Sequence, residues 1–258
     1  MFDGGLVYGV IGGRELLLDV LGSEVSSGGL KPLVVYVHGG GWHEGDRGAA
    51  MHPWLNPLLA SHGFVTASLT YRLSGEARWP APLDDVRGAL AWLREHAQDL
   101  GADPERIGLW GHSAGAHLAA LAALTAPADQ AVQAVAVSAC PSDLRAERLD
   151  SGNEVARLMG PDAGPETLSA ASPVCQVRPG APPFLLAHGS DDRVVPIESG
   201  ERLRDALAAA GAEARWVPVA GAGHEWADRP ASRGLGESEG SFGSVALPFF
   251  DQYLKQPH

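Results

Sequence analysis

The eight residues Gly108-Leu109-Trp110-Gly111-His112-Ser113-Ala114-Gly115 constrain the fold of this chain more than any other segment. They read as the end of a β-strand, a sharp turn carrying one serine, and the start of a helix near Ala114. Gly111, Ser113 and Gly115 form the pattern G-x-S-x-G. Such a turn holds its serine in a strained backbone conformation, and glycine at the flanking positions lets strand and helix approach closely. The serine oxygen then stands above the sheet, at the positive end of the helix dipole. Short Gly/Ser patterns arise by chance, so context decides. Arg106 to Trp110 has the make-up of a short buried strand, and His117 to Leu124 is a strongly helical run of small residues and leucine.

The rest of the chain repeats this alternation. Val7 to Val20 predicts an opening hairpin turning at Gly12-Gly13. Leu33 to Val37 is a continuous apolar run, as in a central parallel strand. A helix is expected over Met51–Ser61, a strand over Gly63–Leu69, and a helix over Leu83–Leu100 that stops at Gly101. Further strands are expected over Ala131–Ala139, Phe184–Ala187 and Arg215–Val219. Helices are expected over Ser199–Ala210 and Ser244–Leu254. These spacings suit βαβ units and predict an α/β protein with a mostly parallel sheet between helices. The chain of 258 residues, without an internal repeat or linker, fits a single domain over 1–258. Ser142–Pro173 breaks the rhythm and has room for short helices, and Trp226–Gly243 reads as a surface loop. In such sheets ligands sit at the carboxyl ends of the strands.

A formal net charge of −12 without a Lys/Arg cluster argues against nucleic acid and anionic membranes as partners. The start of the chain lacks the pattern of a secretory signal, and no apolar run reaches the length of a membrane span. Cys140 and Cys175 match no metal spacing and are expected as free thiols, so a cytoplasmic protein is predicted. Oligomeric state is not written in these features.

A serine hydroxyl needs a base, and the base needs an orienting acid; for this type of turn the chain order is Ser, then Asp or Glu, then His. His224 follows the last predicted strand in a glycine-rich loop and is the candidate base. The acid is Asp191 or Asp192, just past the strand ending near Ala187, with Asp143 as a weaker position. Attack on a carbonyl also requires donors for the oxyanion. His38-Gly39-Gly40-Gly41-Trp42 follows a strand with its backbone uncovered, so the N–H groups of Gly40 and Gly41, with that of Ala114, are the candidate donors. No metal or cofactor is expected: His112 and His117 are five apart, off one helical face, and no G-K-[ST] follows the glycines. His117, one helical turn past Ser113, reads as a packed or capping residue.

Taken together, these segments resemble the α/β-hydrolase superfamily, and within it the esterase/lipase group with an HGGG motif, including carboxylesterases and feruloyl or acetylxylan esterase-like enzymes. The resemblance runs from about Leu33 to Leu254. It rests on His38–Trp42, Tyr71-Arg72-Leu73-Ser74, Asp103–Ile107, Gly111–Gly115, His188-Gly189-x-x-Asp192-x-x-Val195-Pro196 and Gly223-His224. It implies an α/β-hydrolase fold, Asp192 as the acid, and Tyr71, Arg72 and Asp85 as scaffold near the site. It further implies hydrolysis of a small or short-acyl carboxylic ester through an acyl-enzyme. Many relatives have a glycine where this chain has Ala116, and many carry an N-terminal helical cap. This chain is expected to lack a large cap, leaving an open pocket. Trp42, His43, His112 and Trp226 are the candidate substrate-binding residues, with Leu144–Ala171 supplying a wall. The alternatives are cleavage of an activated amide, as in arylformamidases, and a non-catalytic binding protein, against which the complete set of Ser, Asp and His argues.

Overall fold

A computed structural model of the protein describes residues 1–24, 28–48, 55–145, 149, 152–228 and 242–255. β1 (Phe2–Ile11) and β2 (Arg14–Leu21) form the opening hairpin about Gly12-Gly13. β3 (Lys31–Val37), β4 (Val65–Leu69), β5 (Ala102–His112), β6 (Ala134–Ser138), β7 (Phe184–Gly189) and β8 (Ala214–Val219) follow. They make one eight-stranded sheet in the order β1-β2-β4-β3-β5-β6-β7-β8. β2 runs against the other seven strands, so the sheet is mostly parallel.

The central strands read as unbroken apolar runs because both faces of the sheet are covered. Alternate side chains divide between two cores. Leu33, Val35 and Val37, Leu109, Val135 and Val137 join α2 (Ala81–Glu95), α3 (Ala114–Leu124) and α7 (Ile197–Ala209) on one face. Val34, Tyr36, Trp110, Ala134 and Ala136 join α1 (Leu55–Ser61) and α8 (Phe242–Phe250) on the other. All residues of α3 are buried, which is why its sequence shows no polar stripe. Between β6 and β7 an insertion forms three short helices, α4 (Glu154–Met159), α5 (Pro165–Ala170) and α6 (Pro173–Gln176). No helix among the described residues is long and apolar enough to cross a membrane.

Several element boundaries differ from the sequence expectation, among them those of two helices. α2 ends at Glu95, not Leu100. The His96 ring stacks on Trp92 and its Nδ1–H donates to the Trp92 carbonyl, capping the helix early. Ala97 and Leu100 remain apolar because the turn that follows is itself buried. The last helix starts at Phe242 and gives way at Asp251–Lys255 to a wider π-type turn just after Pro248, whose missing N–H disturbs the regular ladder. The first four residues of the helix expected over Met51–Ser61, and residues 229–241 of the expected surface loop, lie outside the described residues.

Just past the carboxyl end of β4, Arg72 forms a two-pronged ion pair with Asp85 of α2. Nε and Nη2 of Arg72 lie 2.9 and 2.8 Å from the carboxylate, and the Arg72 backbone N–H donates to it at 2.8 Å. The Asp85 side chain is only 1% exposed. Asp85→Ala removes the acceptor of the Arg72 backbone N–H and leaves a guanidinium that is 20% exposed without its carboxylate, so it is expected to lower the unfolding free energy by about 2 kcal/mol. Urea unfolding checks this: the midpoint falls while the slope is unchanged.

Candidate active site

The carboxyl ends of β3, β5, β7 and β8 deliver the loops that carry His38, Ser113, Asp192 and His224. Ser113 caps α3 with φ 54° and ψ −123°, a left-handed conformation that costs on the order of 1–3 kcal/mol for a non-glycine residue. Its N–H donates to the Ser138 carbonyl at 2.9 Å, which fixes the turn to β6. The flanking glycines are required by contact. A Cβ on Gly111 would lie 2.6 Å from the Gly115 backbone, and one on Gly115 would fall onto the Val37 carbonyl oxygen.

His224 lies between the serine and one of the two candidate acids. Its Nε2 is 3.0 Å from Ser113 Oγ, and its Nδ1 is 2.8 Å from Asp192 Oδ2. With the carboxylate accepting at Nδ1–H, the lone pair at Nε2 faces the serine hydroxyl. The other oxygen of Asp192 accepts the backbone N–H groups of Val194 and Val195, each at 2.9 Å. Burial works against ionisation of Asp192. Hydrogen bonding from His188 and His224 and from the Val195 N–H outweighs it and holds the carboxyl well below the usual range. His188 Nε2–H is aimed chiefly at the Val195 carbonyl, at 2.8 Å, and lies 3.5 Å from Asp192, so His224 is the closer partner. Asp191 is exposed and accepts from Ser190 Oγ at 3.0 Å. Asp143 is clamped by Arg145 at 2.8 and 2.7 Å. Among the described residues, Asp192 is the carboxylate hydrogen-bonded to His224.

A cavity of about 440 Å³ opens over Ser113 and His224. Gly40, Gly41, Trp42 and His43 line one side, and Leu144, Asn153, Glu154 and Val155 from the insertion line another. Gly40, Gly41 and Trp42 have φ of 106°, 54° and 60°, three left-handed residues in a row. The Gly40 carbonyl accepts the N–H groups of His43 and Glu44, both at 3.0 Å, closing the loop. Ala114 supplies the first N–H of α3, one of the groups a helix leaves without an internal partner. Trp42 and His43 thus stand where the sequence puts them, on the cavity wall. His112 and Trp226 do not. His112, the wholly buried last residue of β5, packs its ring 4.8 Å from that of His224, and its Nδ1 pairs with Ser138 Oγ. Trp226 follows His224 by two residues in the tight turn His224–Asp228. It is not among the residues lining the cavity, and its ring packs edge to face against Phe242, the first residue of α8, at 6.4 Å.

Two braces escape sequence reading. Tyr71 stacks on the His38 ring at 4.1 Å and its hydroxyl donates to the His38 carbonyl at 3.0 Å. The Trp42 indole N–H donates to His117 Nδ1 at 3.2 Å, while His117 Nε2–H donates to the Ala171 carbonyl at 2.7 Å. Burial pushes both His38 and His117 down to about 4, against weaker upward pulls from their backbone acceptors. The sign follows from linkage. Unfolded imidazoles take up protons near 6.5, and the native ones resist until about 4. Stability is therefore full above 6.5 and is lost as pH falls through that window, by up to ~3 kcal/mol per histidine. Thermal melts stepped from neutral pH to about pH 4.5 are expected to show a falling Tm; a flat profile contradicts buried neutral rings.

Comparison with known proteins identifies the family. The BD-FAE family model matches residues 18–207. Esterase LipQ of Mycobacterium tuberculosis is 37% identical over 219 residues, covering 78% of this chain and 52% of that protein. Esterase LipC of the same organism is 35% identical over 215 residues, covering 75% and 52%. The chain thus spans about half the length of these relatives. Among solved structures, the native form of esterase 2 from the planctomycete Thermogutta terrifontis superposes with a TM-score of 0.79 at 25% identity, covering 96% of this chain and 91% of that one. A truncated carbohydrate esterase from gut microbiota, at 23% identity and TM-score 0.84, covers 99% and 97% and shares the fold.

Proposed function

This chain belongs to the BD-FAE family of α/β-hydrolases, and from that premise we propose that it is a serine hydrolase of carboxylic esters, built as one domain over residues 1–258. The observation that carries the reading is the line Ser113 Oγ, His224, Asp192, with separations of 3.0 and 2.8 Å. Ser113 attacks the ester carbonyl as His224 Nε2 takes its proton. Asp192 keeps the imidazole in the right tautomer and stabilises the imidazolium. The N–H groups of Gly40, Gly41 and Ala114 receive the oxyanion. His224 then returns the proton to the leaving alkoxide, releasing the alcohol and leaving an acyl-serine. Water, deprotonated by His224, attacks the acyl carbon, and collapse expels Ser113 with its proton restored and frees the acid.

The esterase names of the relatives favour ester over formamide. Small or short-acyl substrates fit the cavity of about 440 Å³. The T. terrifontis esterase 2 structures with propionate and butyrate bound point the same way. The compartment we propose is the cytoplasm, in keeping with the free thiols of Cys140 and Cys175.

Hydrolysis of p-nitrophenyl acetate, butyrate and decanoate by wild type, Ser113→Ala and Asp192→Asn tests the reading. Acetate or butyrate should turn over faster than decanoate. Each substitution should cut kcat by at least about a thousandfold. Equal slow rates in wild type and Ser113→Ala overturn it. Paraoxon phosphorylates the T. terrifontis enzyme; here it should inactivate wild type and leave a phosphoryl adduct on Ser113, found by peptide mass analysis.

A further inference from the structure

Three consecutive left-handed residues, Gly40, Gly41 and Trp42, shape the loop beside Ser113. The two glycines adopt this conformation freely, but tryptophan does not. Something outside the loop must hold Trp42 there. Its backbone carbonyl accepts the Ser74 N–H at 2.7 Å, and its indole N–H donates to His117 Nδ1 at 3.2 Å. The two rings meet edge to face at 5.1 Å and 83°. His117 belongs to α3, the helix that starts from Ser113, and is fully buried.

The chemistry of the two partners fixes the state of His117. An indole N–H only donates and a carbonyl only accepts, so Nδ1 carries the lone pair and Nε2 the hydrogen. Both ring nitrogens are thereby used. The Ala171 carbonyl closes α5, in the insertion that supplies Leu144, Asn153, Glu154 and Val155 to the cavity. One imidazole thus joins the helix of the nucleophile, the glycine loop and the cavity wall.

We propose that His117 is a positioning residue of the active site. Through Trp42 it holds the Gly40 and Gly41 N–H groups in place for the oxyanion, and through Ala171 it ties that loop to the wall of the cavity. This rests on the ester-hydrolase reading above. The oxyanion's hydrogen bonds strengthen as the carbonyl oxygen gains charge, so a slackened loop lowers kcat and leaves KM nearly untouched.

The test compares His117→Leu, which removes both hydrogen bonds, with His117→Asn, whose amide oxygen stands close to the position of Nδ1 and accepts from Trp42. On p-nitrophenyl butyrate, His117→Leu should lower kcat about ten- to a hundredfold with KM within about twofold. His117→Asn should recover most of the rate. Trp42→Phe breaks the same bond from the other end and should reproduce the loss even if His117→Leu folds poorly. The Trp42 indole N–H resonance, assigned by its disappearance in Trp42→Phe, reads the contact without substrate. It should shift in His117→Leu and return in His117→Asn. Full kcat in a folded His117→Leu, an equal loss in His117→Asn, or an unmoved indole resonance each overturns the positioning role. A wild type with no Ser113-dependent turnover overturns the ester-hydrolase reading instead, and the resonance still decides the contact.

Discussion

Contact between the first turn of α3 and the end of β3 sets the geometry on which the cavity end of the sheet depends. At Gly115 the helix backbone lies so near the Val37 and His38 carbonyls that no side chain fits between them. Ser113, as the cap of that helix, and the glycine loop, as the continuation of that strand, are therefore neighbours by construction. α3 cannot drift to relieve the contact, because every one of its residues is buried between the sheet and α2. Ser113 is thus referenced to a wholly buried helix, and Asp192 and His224 are brought to it by loops at the ends of β7 and β8.

Electrostatics in this region follow from burial as much as from charge. Asp192 is 8% exposed and stays ionised because each of its oxygens is met by donors, the Val194 and Val195 N–H groups on one and His224 on the other. His38 and His117 are buried in apolar or backbone surroundings and are held neutral instead. Three histidines near one site thus take different roles according to what faces their nitrogens. Only His224 has a carboxylate on one side and the serine hydroxyl on the other.

Much of this arrangement is legible in the sequence because it is written in local signals. Continuous apolar runs mark β3, β6 and β7, and the G-x-S-x-G turn marks the junction of β5 and α3. The choice between Asp191 and Asp192 is not local. Adjacent residues on a turn point in different directions, and in the structure it is Asp192 that faces His224. The resemblance resolves that choice; the spacing alone leaves it open. The early end of α2 is hidden because Ala97 and Leu100 are buried in a turn, and periodicity cannot tell a buried turn from a helix. His112 and Trp226 sit near functional residues in sequence, yet neither lines the cavity: His112 pairs with Ser138 and Trp226 packs against Phe242. The His117–Trp42 bond spans 75 positions, and no local pattern reports a contact of that range.

Backbone strain is distributed with the same logic. Among the described residues, the non-glycine positions with positive φ are Trp42, Ser113 and Ala139, with values of 60°, 54° and 50°. They follow β3, β5 and β6, three neighbouring parallel strands, and all lie at the carboxyl end of the sheet. At on the order of 1–3 kcal/mol each, their sum is a sizeable fraction of the 5–15 kcal/mol by which a domain of ordinary stability stays folded. Each is held by a bond reaching a different segment: Ser74 to Trp42, Ser113 to Ser138, Ala139 to Ala187. The cores on both faces of the sheet supply the stabilisation, and the strain is confined to the edge where the cavity opens. Trp42 and Ser113 line the cavity, so relaxing either would relieve strain and shift a group on the cavity wall. That opposition accounts for a tryptophan and a serine in a conformation suited to glycine; Ala139 lies outside the cavity lining and is held by its bond to Ala187.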